Sequence, residues 1–119
     1  MLKIFLAGND SRLLATRAAV LARTGASVAY GDARETLDTL DREAFDLVGF
    51  CHSLLESDVV MIVDKAREKI PNAKTLMVAV NRSVTNYHGK CDAVCMPEPT
   101  ELLARTRELL AGVTVQQYL

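Results

Sequence analysis

Five short apolar runs, separated by stretches of helical character, constrain this chain more than any other feature. They are Lys3–Ala7 (KIFLA), Ser27–Tyr30 (SVAY), Phe45–Phe50 (FDLVGF), Thr75–Val80 (TLMVAV) and Ala93–Met96 (AVCM). Runs this short suit β-strands, and KIFLA has the continuous apolar character of a strand covered on both faces. Helix signals lie between them. Asn9, Asp10 or Ser11 can cap a first helix in which Leu13, Leu14, Ala18, Val20 and Leu21 recur at roughly helical spacing, and Gly25 is a natural stop. Asp32 followed by Glu35 has capping-box spacing, and that helix runs to about Arg42 with Ala33, Leu37, Leu40 and Ala44 as its stripe. Ser57 can cap a third helix through about Ile70, with Val59, Val60, Ile62, Val63 and Ala66 inward, before Pro71-Asn72 ends it. Asn81 to Lys90 is polar and the weakest segment, at best a short or irregular helix. Pro97-Glu98-Pro99 breaks the fifth strand, and Pro99 sits near the start of a last helix over Thr100–Ala111, striped by Leu102, Leu103, Thr106, Leu109 and Leu110.

Strands alternating with helices imply an α/β fold: a parallel sheet with helices on both faces and right-handed crossovers. In such sheets a site lies at the carboxyl ends of the strands, near the switch in strand order. That selects Gly8 to Asp10, Cys51 to Ser53, Val80 to Arg82 and Met96 to Glu98.

The bulk composition excludes several classes. With 119 residues, half of them apolar, the chain suits one domain with one core, assigned to 1–112, and 113–119 is a tail or the start of a linker. Lys and Arg number 14 against 15 Asp and Glu, a net charge of −1 with mixed signs throughout, so neither nucleic acid nor a membrane surface is expected as partner. No apolar run approaches the ~20 residues of a membrane span. The opening Met1-Leu2-Lys3-Ile4 leads straight into a strand pattern, and a cytoplasmic location is expected. Three cysteines cannot form a complete disulfide framework, which agrees with a reducing compartment.

Three segments, in order, carry a family resemblance: "KIFLAGND", "FDLVGFCHSLLESD" and "CDAVCMPEPTELLARTREL". Over about Leu2 to Gly112 the chain resembles a response-regulator receiver domain of two-component signalling. The resemblance implies a flavodoxin-like (βα)5 three-layer sandwich with a five-stranded parallel sheet of order 2-1-3-4-5. It also implies a site that this sequence departs from at every station. Where receivers carry two acidic residues for Mg²⁺, the sequence has Gly8-Asn9, with Asp10 one step on. The position of the family's phosphoryl-accepting aspartate, five residues after Asp46, is occupied by Cys51. The Ser/Thr position is Ala79, the Lys position is Met96, and the switch aromatic is Ala93. Mg²⁺ needs hard oxygen ligands and negative charge, whereas Cys51 offers a soft thiol. Without Lys or Mg²⁺ nothing offsets charge on a transferring phosphoryl group.

The expectation is therefore a degenerate phosphorylation site at Gly8, Asn9, Asp10, Cys51, Ala79 and Met96, with Mg²⁺ binding lost or weak, no other cofactor, and no catalysis. The chain reads as an atypical receiver acting through protein–protein contact. An alternative is a thiol or redox sensor using Cys51, which needs a nearby cation or helix N-terminus to lower its pKa. A third reading is weak phosphorylation on Asp10 or Ser53. A Cys/His metal site with His52 or His88 lacks ligand spacing, and Cys91 and Cys95 are too far apart along one strand for a shared metal or a disulfide unless the strand starts after Cys91. The resemblance makes the Met96–Pro97 bond cis. It also points to a surface on the fourth helix, fifth strand and fifth helix for a signalling partner or a homodimer, with Tyr87, His88, Val94, Arg105 and Glu108 as candidates.

Overall fold

The structure is a computed structural model that describes residues 1–80 and 91–118, the side chains of 113–118 excepted. Five parallel strands form one sheet: β1 Lys3–Ala7, β2 Ser27–Gly31, β3 Leu47–Cys51, β4 Lys74–Val78 and β5 Ala93–Cys95, in spatial order β2-β1-β3-β4-β5. Among the described residues four helices connect or follow them: α1 Ser11–Ala22, α2 Ala33–Arg42, α3 Glu56–Lys69 and α4 Pro99–Tyr118. The expected parallel α/β sandwich and its strand order are thus observed. The polar segment 81–90, with Tyr87 and His88, lies outside the described residues.

The alternation of side chains along each strand builds two cores. Phe5, Val48, Phe50 and Met77 face one way and pack with Leu40 of α2 and with Val59, Ile62, Val63 and Ala66 of α3. Ile4, Leu6, Leu47, Cys51, Leu76, Val78 and Cys95 face the other way and pack with Leu14 and Leu21 of α1 and Leu102 and Leu110 of α4. On this second face Gly49 leaves room for Leu6, since a Cβ there would meet Leu6 Cδ1 at 2.9 Å.

Several boundaries differ from the sequence reading, each for a local reason. Phe45 and Asp46 precede β3 instead of belonging to it. Asp46 is an anchor at the amino end of the sheet: its carboxylate accepts from Lys3 N at 2.7 Å, its own N–H donates to Lys3 O at 2.8 Å, and its carbonyl accepts from Lys74 N at 2.9 Å. Phe45 instead meets Phe5 edge-on, with centroids 5.5 Å apart. Ala44 is exposed, because α2 ends at Arg42, and the buried partner of Leu40 is Thr36, whose hydroxyl bonds to Asp32 O at 2.6 Å. The Asp32–Glu35 capping box forms as expected. Ser57 does not cap α3. The N-cap is Leu55, without a side-chain bond, and Ser57 lies in the first turn among Glu56 and Asp58. β4 ends at Val78, so Ala79 and Val80 follow the strand, and Ala79 N still donates to Cys95 O at 2.9 Å. The last helix starts at Pro99 and continues through Gly112 to Tyr118. A helical glycine costs only about 1 kcal/mol relative to alanine, too little to stop a helix anchored by Leu102, Leu103, Thr106 and Leu110. The Met96–Pro97 bond is trans, correcting the expected cis bond.

Candidate functional site

The loops after β1 and β3 meet at the carboxyl edge of the sheet. Asn9 N donates to Ser53 Oγ at 2.9 Å, and the Asn9 side-chain amide donates to Ser53 O at 3.0 Å. This places Gly8 hard against the β3 loop: a Cβ there would meet Cys51 Cβ at 3.1 Å and Ser53 Oγ at 3.2 Å. Asp10 is the N-cap of α1. Its carboxylate accepts from Arg12 N at 3.1 Å and Leu13 N at 3.2 Å, so the one acid of this loop is occupied by the helix start.

Cys51, Ala79 and Cys95 are buried, and Met96 is half-buried. Met96 N donates to the Glu101 carboxylate in the first turn of α4. Ala93 pairs with Leu76 in β5. The structure therefore brings Gly8, Asn9 and Asp10, on the loop after β1, beside Cys51 at the end of β3. Ala79 and Met96 follow the next two strands. Of the candidate partner surface, Val94 is half-buried, and Arg105 and Glu108 are exposed and pair with each other at 3.1 Å.

The sheet separates Cys91 from the other two cysteines. Cys91 packs on the α2–α3 side, whereas Cys51 and Cys95 lie on the α1–α4 side. Cys51 pairs with Val78 and Val78 with Cys95, so a whole strand intervenes. Two strand spacings come to roughly 9.6 Å, beyond disulfide reach. Among the described residues no three His, Cys, Asp or Glu side chains are grouped to hold a metal.

The residue that sequence reading missed is Arg17. It lies on the buried face of α1 with Leu14, Ala18 and Leu21 and is only 5% exposed. Long helical side chains lean toward the helix N-terminus, which carries this guanidinium up to the loop after β3. Its Nη2 lies 3.5 Å from His52 Nδ1, and its Nη1 has no hydrogen-bond partner among the described residues. A signal was present in the sequence: positions 14, 17, 18 and 21 have core spacing, and a charge occupies one of them.

Arg17 shapes the local electrostatics. Burial pushes the Cys51 thiol above its ordinary pKa; the Arg17 guanidinium opposes this without overcoming it. Burial likewise pushes Cys95 up to about 11, with Glu101 adding to the rise. A thiol that stays protonated is a poor nucleophile. His52 is held below the ordinary imidazole pKa, first by desolvation and then by Arg17, with Asp10 partly offsetting both. The unfolded chain therefore takes up the His52 proton before the folded one does. Stability is expected to fall as pH drops from about 6.5 toward the lower folded value. Thermal melts from pH 7.5 to 5.5 check this, and His52→Asn should flatten the slope across that window. Asp41 and Glu43, whose pKa values are lowered by Lys65 and Lys3, lose their contributions only at more acid pH.

With the geometry in place, comparison with solved structures defines the class: this is the CheY-like receiver fold. A response regulator receiver domain protein from Methanospirillum hungatei superposes with a TM-score of 0.82 at 24% identity, covering 98% of each chain. A chemotaxis response regulator of Vibrio cholerae gives 0.77 at 16% identity over 92% of this chain and 98% of its own. A putative pilus assembly protein from Burkholderia thailandensis gives 0.75 at 20% identity over 93% and 99%. No protein-family profile and no curated protein sequence matches the chain. No helix among the described residues is long and apolar enough to cross a membrane.

Proposed function

We propose that the chain is an atypical receiver that acts in signal transduction by binding another protein, cytoplasmic in location and independent of aspartyl phosphorylation. One observation carries this reading: a buried guanidinium, Arg17, lies beside Cys51, where a receiver needs a carboxylate facing Mg²⁺. The residues present do not suit Mg²⁺. Asn9 spends its amide on Ser53 O, Asp10 spends its carboxylate on the start of α1, and Cys51 is a protonated thiol. A hard cation with a large dehydration cost gains little from such a set, and Arg17 repels it. The likeness to receiver domains supports a signalling role. The likeness to a putative pilus assembly protein is consistent with the fold serving outside two-component relays. The thiol-sensor reading has the cation it requires in Arg17, yet burial outweighs that cation and leaves the thiol pKa raised. The face bearing Val94, Arg105 and Glu108 is the proposed contact for a signalling partner or a second copy.

Incubation with acetyl phosphate and Mg²⁺, followed by intact-mass measurement, tests the proposal. No phosphoryl adduct is expected on the wild type. None is expected on Cys51→Asp either, because the new carboxylate would meet Arg17 instead of a metal. A saturable adduct on Asp10 or Ser53 of the wild type overturns the reading.

A further inference from the structure

Arg17 is a buried cation set against the Cys51 thiol and the His52 ring, neither of which carries a negative charge. It forms no ion pair among the described residues, and its Nη1 is orphaned. Its contact with His52 Nδ1, at 3.5 Å, is at the outer limit of a hydrogen bond. Leaving a charge in this condition costs several kcal/mol, so buried charges are ordinarily paired. The guanidinium presents a planar fork of N–H donors, which matches an oxyanion in two places at once. It stands at the carboxyl edge of β3, where sheets of this topology take their ligands.

We propose that this edge binds a tetrahedral oxyanion of the phosphate or sulfate class, without metal, with Arg17 as its principal ligand and His52 as the group it displaces. The inference rests on the same reading of the site as one that no longer holds a cation. The exchange is favourable in kind: a long contact to a neutral imidazole gives way to shorter bonds between a cation and an anion. Ser53 can contribute, because its Oγ accepts from Asn9 N and keeps its own O–H to donate. His52 is exposed at this edge, which makes its side the way in.

The charged groups around His52 determine the linkage to pH. Arg17 disfavours its protonation and Asp10 favours it, while Glu101 and Arg105 of α4 act further off, on Cys95. An anion beside His52 adds a second negative charge, so binding draws a proton onto the imidazole. Sulfate does not titrate near neutrality, and its affinity should therefore rise as pH falls from about 7 to 6. Asp10 opposes the anion, and Asp10→Asn should tighten binding.

The experiment is a titration of the full chain with sodium sulfate, then inorganic phosphate, in EDTA, against sodium chloride at matched ionic strength. Backbone amide shifts around Arg17, Cys51 and Ser53 are followed. Saturable shifts in the low millimolar range are expected with both oxyanions and not with chloride. Arg17→Met should weaken binding at least about tenfold. Arg17→Lys should fall between the two, because a point charge replaces a fork. Shifts that match chloride, or an Arg17→Met variant that binds like the wild type, overturn the proposal. The two readings fail separately: a covalent adduct with acetyl phosphate defeats phosphorylation independence and leaves metal-free binding standing, whereas absent sulfate binding does the reverse.

Discussion

Arg17→Met is expected to stabilise the protein by about 1–3 kcal/mol in a buffer poor in sulfate and phosphate, raising Tm by roughly 4–12 °C at this chain length. The residue is nine-tenths buried on α1, one terminal nitrogen has no partner among the described residues, and the guanidinium otherwise meets the His52 ring at 3.5 Å and the Cys51 thiol. Methionine fills much of the same volume with an unbranched, adaptable chain and carries no charge to desolvate. Urea unfolding at neutral pH measures the difference. The sign is informative. A gain means that the fold tolerates Arg17 at a cost that stability alone does not explain. A loss of comparable size would make Arg17 a packing element and remove the basis for the oxyanion site. Adding sulfate should narrow the gap, because the wild type gains more binding energy from it than the variant does.

Phe50→Ala should act in the opposite direction and more strongly, removing about 3–5 kcal/mol. Phe50 is fully buried on the central strand, aligned with Ala7 of β1 and Met77 of β4, and packed in the core formed by α2 and α3. No neighbour can refill an aromatic cavity there without moving a helix. Domains of this size are stable by only about 5–15 kcal/mol, so the loss is a large share of the total. The urea midpoint is expected to fall by about 2 M. A shift below about 0.5 M would show that the α2–α3 core collapses to fill the space.

The sheet was legible because its signal is redundant. Each strand is a short apolar run, each helix offers a cap or a stripe, and the Asp32–Glu35 box and Gly25, with its positive φ of 88°, stand where the pattern puts them. What escaped was decided by tertiary contact. Phe45 and Asp46 look like strand but belong to the turn before it, because Asp46 can satisfy the backbone of Lys3 and Lys74 only from there. Ser57 has the chemistry of a cap, yet α3 begins one residue earlier. The site was half legible. Gly8, Asn9, Asp10 and Cys51 could be placed on adjoining loops by strand order, but a charged side chain on the buried face of a helix runs against the rule that core stripes are apolar. Only the packed fold shows that Arg17 reaches the end of β3.

The strand pairs also set the order in which the chain can fold. Lys3 pairs with Ser27, Ile4 with Leu47, Leu47 with Lys74 and Leu76 with Ala93, and no neighbouring strands share a hairpin. Every ladder therefore waits for a loop to close, and folding should be slower than for a helical bundle of similar length. During synthesis β1 emerges before β3 and lacks its inner neighbour until Leu47–Cys51 has been made. For that interval the nascent chain presents Ile4, Phe5 and Leu6 along an unpaired edge, and this is the stage at which a chaperone would find it.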